Sequence, residues 1–419
     1  MRTCSKVASI NRHYANFSAM NAIGLSLLTS IVLAAPPAAP EPSTDAQAKL
    51  AATSDEVRAA VQRSLPYIEK IGVEWINSRK CNSCHTVTFL VWSHNAAAAH
   101  GLDVDRKKLA EWTRWSLDDS LADNYWFKIR PRAVEGLKSA GLPDTVLAKL
   151  KPLVNKTHTT KDNYVEALKK ALGDDDWTRY EKELIQHAAQ PNNGGGPDTL
   201  YQHLLARTAA KPEPSTAESY DAVRALLLEW QEPGGGWETQ GQLPELKWRD
   251  ANEMNDATTL WCMLALATDA DSQITREPIE RALASIRSST PGKTVQSLLL
   301  HLLVAHRFGE PQRAAALREK LFAAQKADGG WSWVPENEMS DAFATGQVLY
   351  ALGSLGLDGR DKVVGRAWQY LLNTQSADGG WQVPQEAINK RPRKLNVYPF
   401  WGTAWAAIGL LETLPDDER

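Results

Sequence analysis

The motif Gln-x-x-x-Gly-Gly-Trp occurs three times in the second half of the chain, at Gln231–Trp237, Gln325–Trp331 and Gln375–Trp381. The two later copies start 50 residues apart, and the first precedes the second by 94, close to two such periods. Each follows a short apolar, helix-like stretch and leads through a polar loop to a second one rich in small residues, at about 257–267, 342–355 and 403–414. A repeat of that length describes an array of supersecondary units, none of which can bury its apolar face without a neighbour. The glycine pair suits a helix end, where the chain turns through a left-handed conformation. Residues 279–307 fit a unit between the first and second copies that has lost its Gly-Gly-Trp, and 192–196, after Gln190, read as a worn copy.

Outside the repeats, helical periodicity continues over 67–76, 109–115, 164–172 and 295–304, and no alternating strand run is flanked by hairpin turns. The expected fold class is all-α, with about five or six helical hairpins. Pro-rich punctuation at 36–43 and 212–215 divides the chain into a linker over 36–49, an N-terminal helical region over 50–207 and a repeat region over 218–415. Sixteen Trp among 419 residues supply broad apolar surfaces for a core or a ligand cavity. The formal charge of −3, with no Lys/Arg stripe interleaved with aromatics, argues against a nucleic-acid partner.

Arg2, Lys6 and Arg12 precede an uncharged apolar run over 22–35 that ends in small residues around Ala34 and then in the Pro-rich stretch. This pattern predicts an export signal cleaved near residue 35, with an uncleaved anchor as the second reading. The run falls short of the roughly 20 apolar residues a membrane span needs, and no later run reaches that length. The expected mature protein is periplasmic or extracellular, without a transmembrane span. It keeps Cys81, Cys84 and Cys262, too few for a disulfide framework. Cys262, in an apolar helical stretch, reads as an inert core residue.

The Gln-x-x-x-Gly-Gly-Trp copies, over about residues 218–415, resemble the repeat of squalene–hopene cyclases and their protein prenyltransferase relatives. The resemblance implies an α/α toroid, concentric helices around an apolar cavity that holds an isoprenoid-like molecule. It also makes Gln231, Trp237, Gln325, Trp331, Gln375 and Trp381 structural staples, with each Gln amide capping a helix end and the Trp ring stacked over it. A solenoid of hairpins that never closes is the alternative. The cyclases protonate an alkene with an Asp in Asp-x-Asp-Asp-Thr-Ala; the nearest stretch here is Asp341-Ala342-Phe343-Ala344-Thr345-Gly346. Only the first Asp and the Thr survive, and Phe343 stands where the proton donor belongs. Asp341, with Glu338 three residues earlier, is left as a weaker candidate acid. The zinc site of the prenyltransferases is not matched either: Cys262 follows Asp256 by six residues and no Asp-x-Cys occurs.

Glu253-Met254-Asn255-Asp256-Ala257 and Glu338-Met339-Ser340-Asp341-Ala342 echo each other 85 residues apart. Both read as preceding an inner helix, so Asp256 and Asp341 are either helix N-caps or a pair of carboxylates at a cavity mouth. Trp261, Tyr350, Tyr398, Trp401 and Trp405 line that cavity or fill the core.

The remaining signal is Cys81-Asn82-Ser83-Cys84-His85. In an exported chain this spacing predicts covalent attachment of a c-type haem through Cys81 and Cys84, with His85 as the proximal iron ligand. A disulfide or free thiols, and then zinc, are the alternatives; zinc wants a fourth ligand near by. His94 or His100, on the next helix-like stretch, are the candidate distal ligands. Aligning Trp75–Arg79 with Leu371–Gln375 places His85 over Trp381, which puts the motif in the turn of a divergent first unit. Exported bacterial proteins that join such repeats to a Cys-x-x-Cys-His segment are similar. Three functions follow: a haem-bearing toroid with an apolar ligand, in a redox or sensing role with a redox partner; a cyclase or lyase using Asp341 or Asp256; and a non-catalytic binding scaffold with a Cys81–Cys84 disulfide.

Overall fold

The computed structural model describes residues 52–79, 82, 86–121, 125–127, 129, 134, 137–138, 141–154, 156, 158, 161–186, 189–191, 196–209, 214–239, 249–269, 273–287, 289–384 and 397–416. The chain divides at Gln47 into two units, and all of these residues belong to the second. The signal and linker expected over 1–49, and Cys81, Cys84 and His85, lie outside the described residues.

Helices buried all round their circumference and helices with a single apolar stripe alternate along the chain, and that difference sorts them into two layers. The first kind comprises α2 (Val87–Ala99), α7 (Pro197–Thr208), α9 (Ala251–Leu266), α11 (Val295–Arg307), α13 (Ala342–Ser354) and α15 (Val397–Glu412). In α2 every residue from Val87 to Ala98 is buried. The second kind comprises α1 (Ser54–Arg79), α3 (Arg106–Leu121), α8 (Ala217–Glu229), α10 (Gln273–Ile286), α12 (Pro311–Ala323) and α14 (Lys362–Thr374). Helix α14 shows the stripe plainly: Val364, Ala367, Trp368 and Leu371 are buried, at spacings of three and four.

The inner helices contact one another in the order α2, α7, α9, α11, α13, α15, and α15 packs back on α2. The ring therefore closes. Six outer-to-inner hairpins make an α/α toroid, and the open solenoid is excluded. The hairpin α10–α11 is the unit expected between the first and second copies, without Gly-Gly-Trp. The hairpin α3–α7 is interrupted by a satellite of α4 (Asp144–Leu150), α5 (Lys161–Leu172), α6 (Asp174–Gln186) and a two-stranded antiparallel ribbon. In that ribbon β1 (Tyr125–Phe127) pairs with β2 (Ala189–Pro191), Trp126 opposite Gln190. Gln190 thus lies in a strand rather than at the end of an outer helix, and of the worn copy expected over 192–196 only Gly196 is among the described residues. The satellite has its own core, including Leu150, Tyr164, Leu168 and Trp177.

The three motif copies make the same bonds. The Gln231 amide donates to the Gly235 carbonyl at 2.8 Å and to the Pro278 carbonyl of α10 at 2.8 Å. Gln325 donates likewise to Gly329 and to Val363 of α14, both at 2.8 Å. Gln375 donates to Gly379 at 3.0 Å and to Ala60 of α1 at 2.8 Å, joining the last unit to the first. Arg281, Arg366 and Arg63 donate to the three Gln side-chain oxygens. The indole N–H of Trp237, Trp331 and Trp381 donates to Leu227, Leu321 and Leu371, each on the outer helix just left, at 2.7, 2.8 and 2.8 Å. Their backbone N–H groups meet Thr259, Thr345 and Thr403 of the inner helices, each at 2.9 Å. Each motif therefore ties its own hairpin together and pins it to the next outer helix.

The first glycine of each pair, Gly235, Gly329 and Gly379, has φ of +92°, +95° and +83°. A Cβ there would lie 2.4, 2.3 and 2.0 Å from the carbonyl oxygens of Arg281, Arg366 and Arg63. Gly356 has φ of +82° but open space around it. Gly379→Ala should therefore cost about 3 kcal/mol or more, left-handed strain plus overpacking at the ring closure, and Gly356→Ala about 1–2 kcal/mol. Denaturant midpoints of the two variants check this; equal losses would remove the close-approach argument.

Candidate functional site

Where a cavity would open inside the ring, aromatic side chains meet. Trp405 of α15 lies 5.3 Å, centroid to centroid, from both Phe89 and Trp92 of α2, 5.8 Å from Trp261 of α9 and 5.7 Å from Tyr350 of α13. Helices α9 and α15 are not neighbours in the ring, nor are α2 and α13, whose Trp92 and Tyr350 touch at 5.5 Å. Such contacts are possible only across the interior. Trp261, Tyr398, Trp401 and Trp405 are buried, so the described aromatic residues act as core. Helices α13 and α15 approach most closely because glycine faces glycine: a Cβ on Gly409 would lie 2.2 Å from the Gly346 carbonyl oxygen.

Asp341 is the N-cap of α13. Its Oδ1 accepts from the Ala344 N–H and its Oδ2 from the Trp333 N–H, both at 2.7 Å, and its own N–H donates to the Trp331 carbonyl at 2.8 Å. Burial raises its pKa to about 6, against the pull of these backbone N–H groups. Both oxygens accept from the backbone, and each keeps a second lone pair on which a proton can sit at the cost of weakening that bond. Phe343 stacks on Trp401 at 5.3 Å and 6° and on Trp333 at 5.2 Å. Glu338 is exposed and makes no pair with Asp341 among the described contacts.

Asp256 is placed differently from its echo. Helix α9 starts at Ala251 with Asp250 as its cap, accepting from the Glu253 N–H at 2.9 Å. The expectation that residues 253–257 precede an inner helix is corrected: they lie inside it, because the capping Asp comes six residues earlier. Asp256 Oδ2 accepts from Ser289 Oγ at 2.7 Å. It borders an open groove of about 530 Å³ lined by Arg249, Asp250, Asn252, Glu253 and Lys293. A wet, charged groove is a poor setting for alkene protonation. Asp256 and Asp341 share no described contact.

The buried Arg249 links this groove to the interior. It donates to Gln296 Oε1, Gln296 Nε2 donates to Gln347 at 3.1 Å, and the guanidinium lies 4.9 Å from the Trp333 ring. Cys262 is buried with its pKa raised by burial, an inert core thiol.

The segment carrying Cys81, Cys84 and His85 joins outer α1 to inner α2, the turn that alignment with the last copy indicates. Its described member, Asn82, is 1% exposed. Asn82 N–H donates to Asp119 Oδ2 at 2.5 Å, and Nδ2 contacts the Ser116 carbonyl at 3.1 Å, Ser120 Oγ at 2.8 Å and His203 Nε2 at 3.2 Å. Burial raises the Asp119 pKa, partly offset by this N–H. His94, half-way along α2, is buried with its ring edge on Trp112 at 5.3 Å. Its Nδ1 donates to the Leu90 carbonyl at 2.8 Å, leaving Nε2 as the basic nitrogen. Burial lowers its pKa to about 4. His100 caps the far end of α2, roughly 20 Å from its first residue at 1.5 Å per residue. Of the two, His94 is nearer the start of α2.

Sequence reading missed Arg63, Arg281 and Arg366, because a partner on the next helix has no fixed sequence distance from its Gln. It also missed His203, 121 residues from Asn82. The recurring Thr259, Thr345 and Thr403 near inner-helix starts were a usable signal.

No family model matches the chain. A stretch of 107 residues, 24% of the chain, is 33% identical to a probable squalene–hopene cyclase of Sinorhizobium fredii. The match spans about a sixth of that relative's length, 16%. Among solved structures, the apo type II terpene cyclase MstE from Scytonema matches with a TM-score of 0.45 and 13% identity, covering 85% of this chain and 98% of that one. A variant of the same enzyme in complex with geranylgeranyl dihydroxybenzoate gives 0.43 and 14%, with the same coverage. Among the described residues no helix is long and apolar enough to cross a membrane.

The raised pKa of Asp341 has a stability consequence. Between about pH 4 and pH 6 the folded chain binds this proton and the unfolded chain does not, so stability is highest below the unfolded pKa and falls as pH rises through about 6. The loss amounts to at most about 3 kcal/mol. Denaturant titrations across that range should show this slope in the wild type and lack it in Asp341→Asn; an identical slope in both would show that Asp341 does not titrate there.

Proposed function

We propose that this chain is an exported toroid carrying a haem attached covalently through Cys81 and Cys84, with His85 as proximal iron ligand, in a redox or sensing role. The observation that carries the reading is the burial of Asn82 between those cysteines. A solvated surface loop does not bury its middle and bond it to two other helices. Two polar atoms at this place, Asn82 Oδ1 and Ser116 Oγ, are buried without a partner among the described residues, as at a site completed by a further group or by water. The donor set of two thiols and an imidazole suits haem attachment. Among the described residues no three His, Cys, Asp or Glu side chains form a metal cluster that would recommend zinc elsewhere. Haem, when bound, supplies one-electron chemistry and a coordination site for a small ligand. The chain's own part is to hold the motif against α3 and α7, and to offer His94 Nε2 from α2 as a candidate distal ligand.

Intact mass and an optical spectrum of the chain made in a host that matures c-type haem test this. One covalent haem per chain is expected, lost in Cys81→Ala with Cys84→Ala. A colourless chain at its polypeptide mass would overturn the proposal and leave the disulfide-bearing scaffold.

A second reading is an isoprenoid-binding, cyclase-like toroid with Asp341 as acid. It is favoured by the stretch of likeness to squalene–hopene cyclase and by the buried carboxyl with its raised pKa. Against it stand Phe343 in the donor's place and the packed aromatic interior. Incubation with squalene and shorter polyprenes should give no cyclised product; turnover abolished by Asp341→Asn would establish this reading in place of the first.

A further inference from the structure

Among the described residues the polar cluster under Asn82 has no counterpart in the three Gln-stapled units. Asn82 belongs to the turn after outer helix α1, where other units place the stapling Gln. It makes the same kind of bond, a side-chain amide to a carbonyl of the next outer helix, here Ser116 of α3. What differs is the additional partner from the inner ring. His203 of α7 is 1% exposed, and its Nε2 lies 3.0 Å from Ser120 Oγ as well as 3.2 Å from Asn82 Nδ2.

The proton positions follow from donor chemistry. A carbonyl only accepts, so the Asn82 atom facing Ser116 is the NH2 group and not the oxygen. That group has two hydrogens for three neighbours. Where it donates to Nε2, or to Ser120 whose hydroxyl then donates to Nε2, the ring proton sits on Nδ1; where Nε2 carries the proton, it donates to Ser120 Oγ, which also accepts from Asn82. In each arrangement Nε2 is committed to the cluster, so His203 is not a free iron ligand.

We propose that His203 and Ser120 are positioning residues for the Cys81–His85 segment, acting through Asn82 to fix the two thiols and the imidazole before any group is attached. The proposal deepens the haem reading and rests on it for the role of the segment, but the clamp is testable without haem. Ser116, Asp119 and Ser120 present one face of α3, at spacings of three and four, and all three reach Asn82, by carbonyl, carboxylate and hydroxyl. The clamp therefore joins three elements, the segment, α3 and α7, through one side chain.

The test has two arms. In the full chain made without haem maturation and kept reduced, alkylation of Cys81 and Cys84 is followed by mass spectrometry. Loss of the clamp in His203→Leu should speed alkylation about five- to tenfold, the effect of one or two buried hydrogen bonds on local opening. Ser120→Ala should give a smaller increase. His203→Gln, whose amide oxygen reaches the place of Nε2, should restore the wild-type rate. Equal rates in all four proteins would overturn the proposal, as would His203→Gln behaving like His203→Leu.

In the haem-maturing host, His203→Leu should lower covalent haem per chain and shift the reduction potential, with recovery in His203→Gln. Full loading at an unchanged potential in His203→Leu would likewise overturn a positioning role toward haem. If the wild type loads no haem, the haem reading fails, and the alkylation arm still decides the clamp. A cooperative helical melt in each variant excludes global unfolding as the cause.

Discussion

The side-chain amide of Gln375 holds the ring shut. It offers two hydrogens and one oxygen, and all three are used: the hydrogens on the Gly379 and Ala60 carbonyls, the oxygen on Arg63. That inventory explains the residue type. Glu would set an oxygen against two carbonyl oxygens, and Asn is one methylene too short to reach the neighbouring helix. The same three-way arrangement at Gln231 and Gln325 pins each outer helix to the one after it. At Gln375 the helix after it is the first of the ring, about three hundred residues away in sequence. The end faces an open array would expose are thereby buried against each other.

A closed ring leaves an interior that must be filled or used. Here side chains from α2, α9, α13 and α15 fill it, with Trp405 touching aromatic rings from the three other helices. The glycine seam between α13 and α15 brings two backbones together and so draws Trp401 and Trp405 inward. The same contraction places Phe343 between Trp333 and Trp401. Phe343 suits these surroundings, since a carboxylic acid buried among rings without a partner would be costly.

The architecture was legible because it rests on short-range chemistry that recurs. Gly-Gly after an apolar stretch announces a helix end, and a period near fifty residues announces the array. The ring's closure was not legible, because the partner of Gln375 is Ala60, whose carbonyl any residue would supply. The Arg residues three positions beyond each accepting carbonyl were visible only in retrospect. The echo around Asp256 and Asp341 misled for a local reason. Both sequences fit a helix start, but Asp250 takes the cap of α9, leaving Asp256 in the second turn and facing Ser289. Gln190 misled in the same way, a motif-like residue drawn into a strand of the inserted satellite.

The candidate site follows the pattern of the repeats more closely than its sequence suggests. Three units tie the turn after their outer helix to the next outer helix through a Gln side chain. In the first unit Arg79 ends the outer helix, and no Gln stands there. Asn82 takes over that duty from within the turn, reaching Ser116 and Asp119 of α3. A tie drawn from the motif itself makes the ring the motif's scaffold. Asn82 cannot move away from α3 and α7 without breaking these bonds. Rigid support of this kind lets a reactive group be held in one geometry. It also accounts for a buried His at position 203 of inner helix α7: its imidazole completes the tie from the inside of the ring.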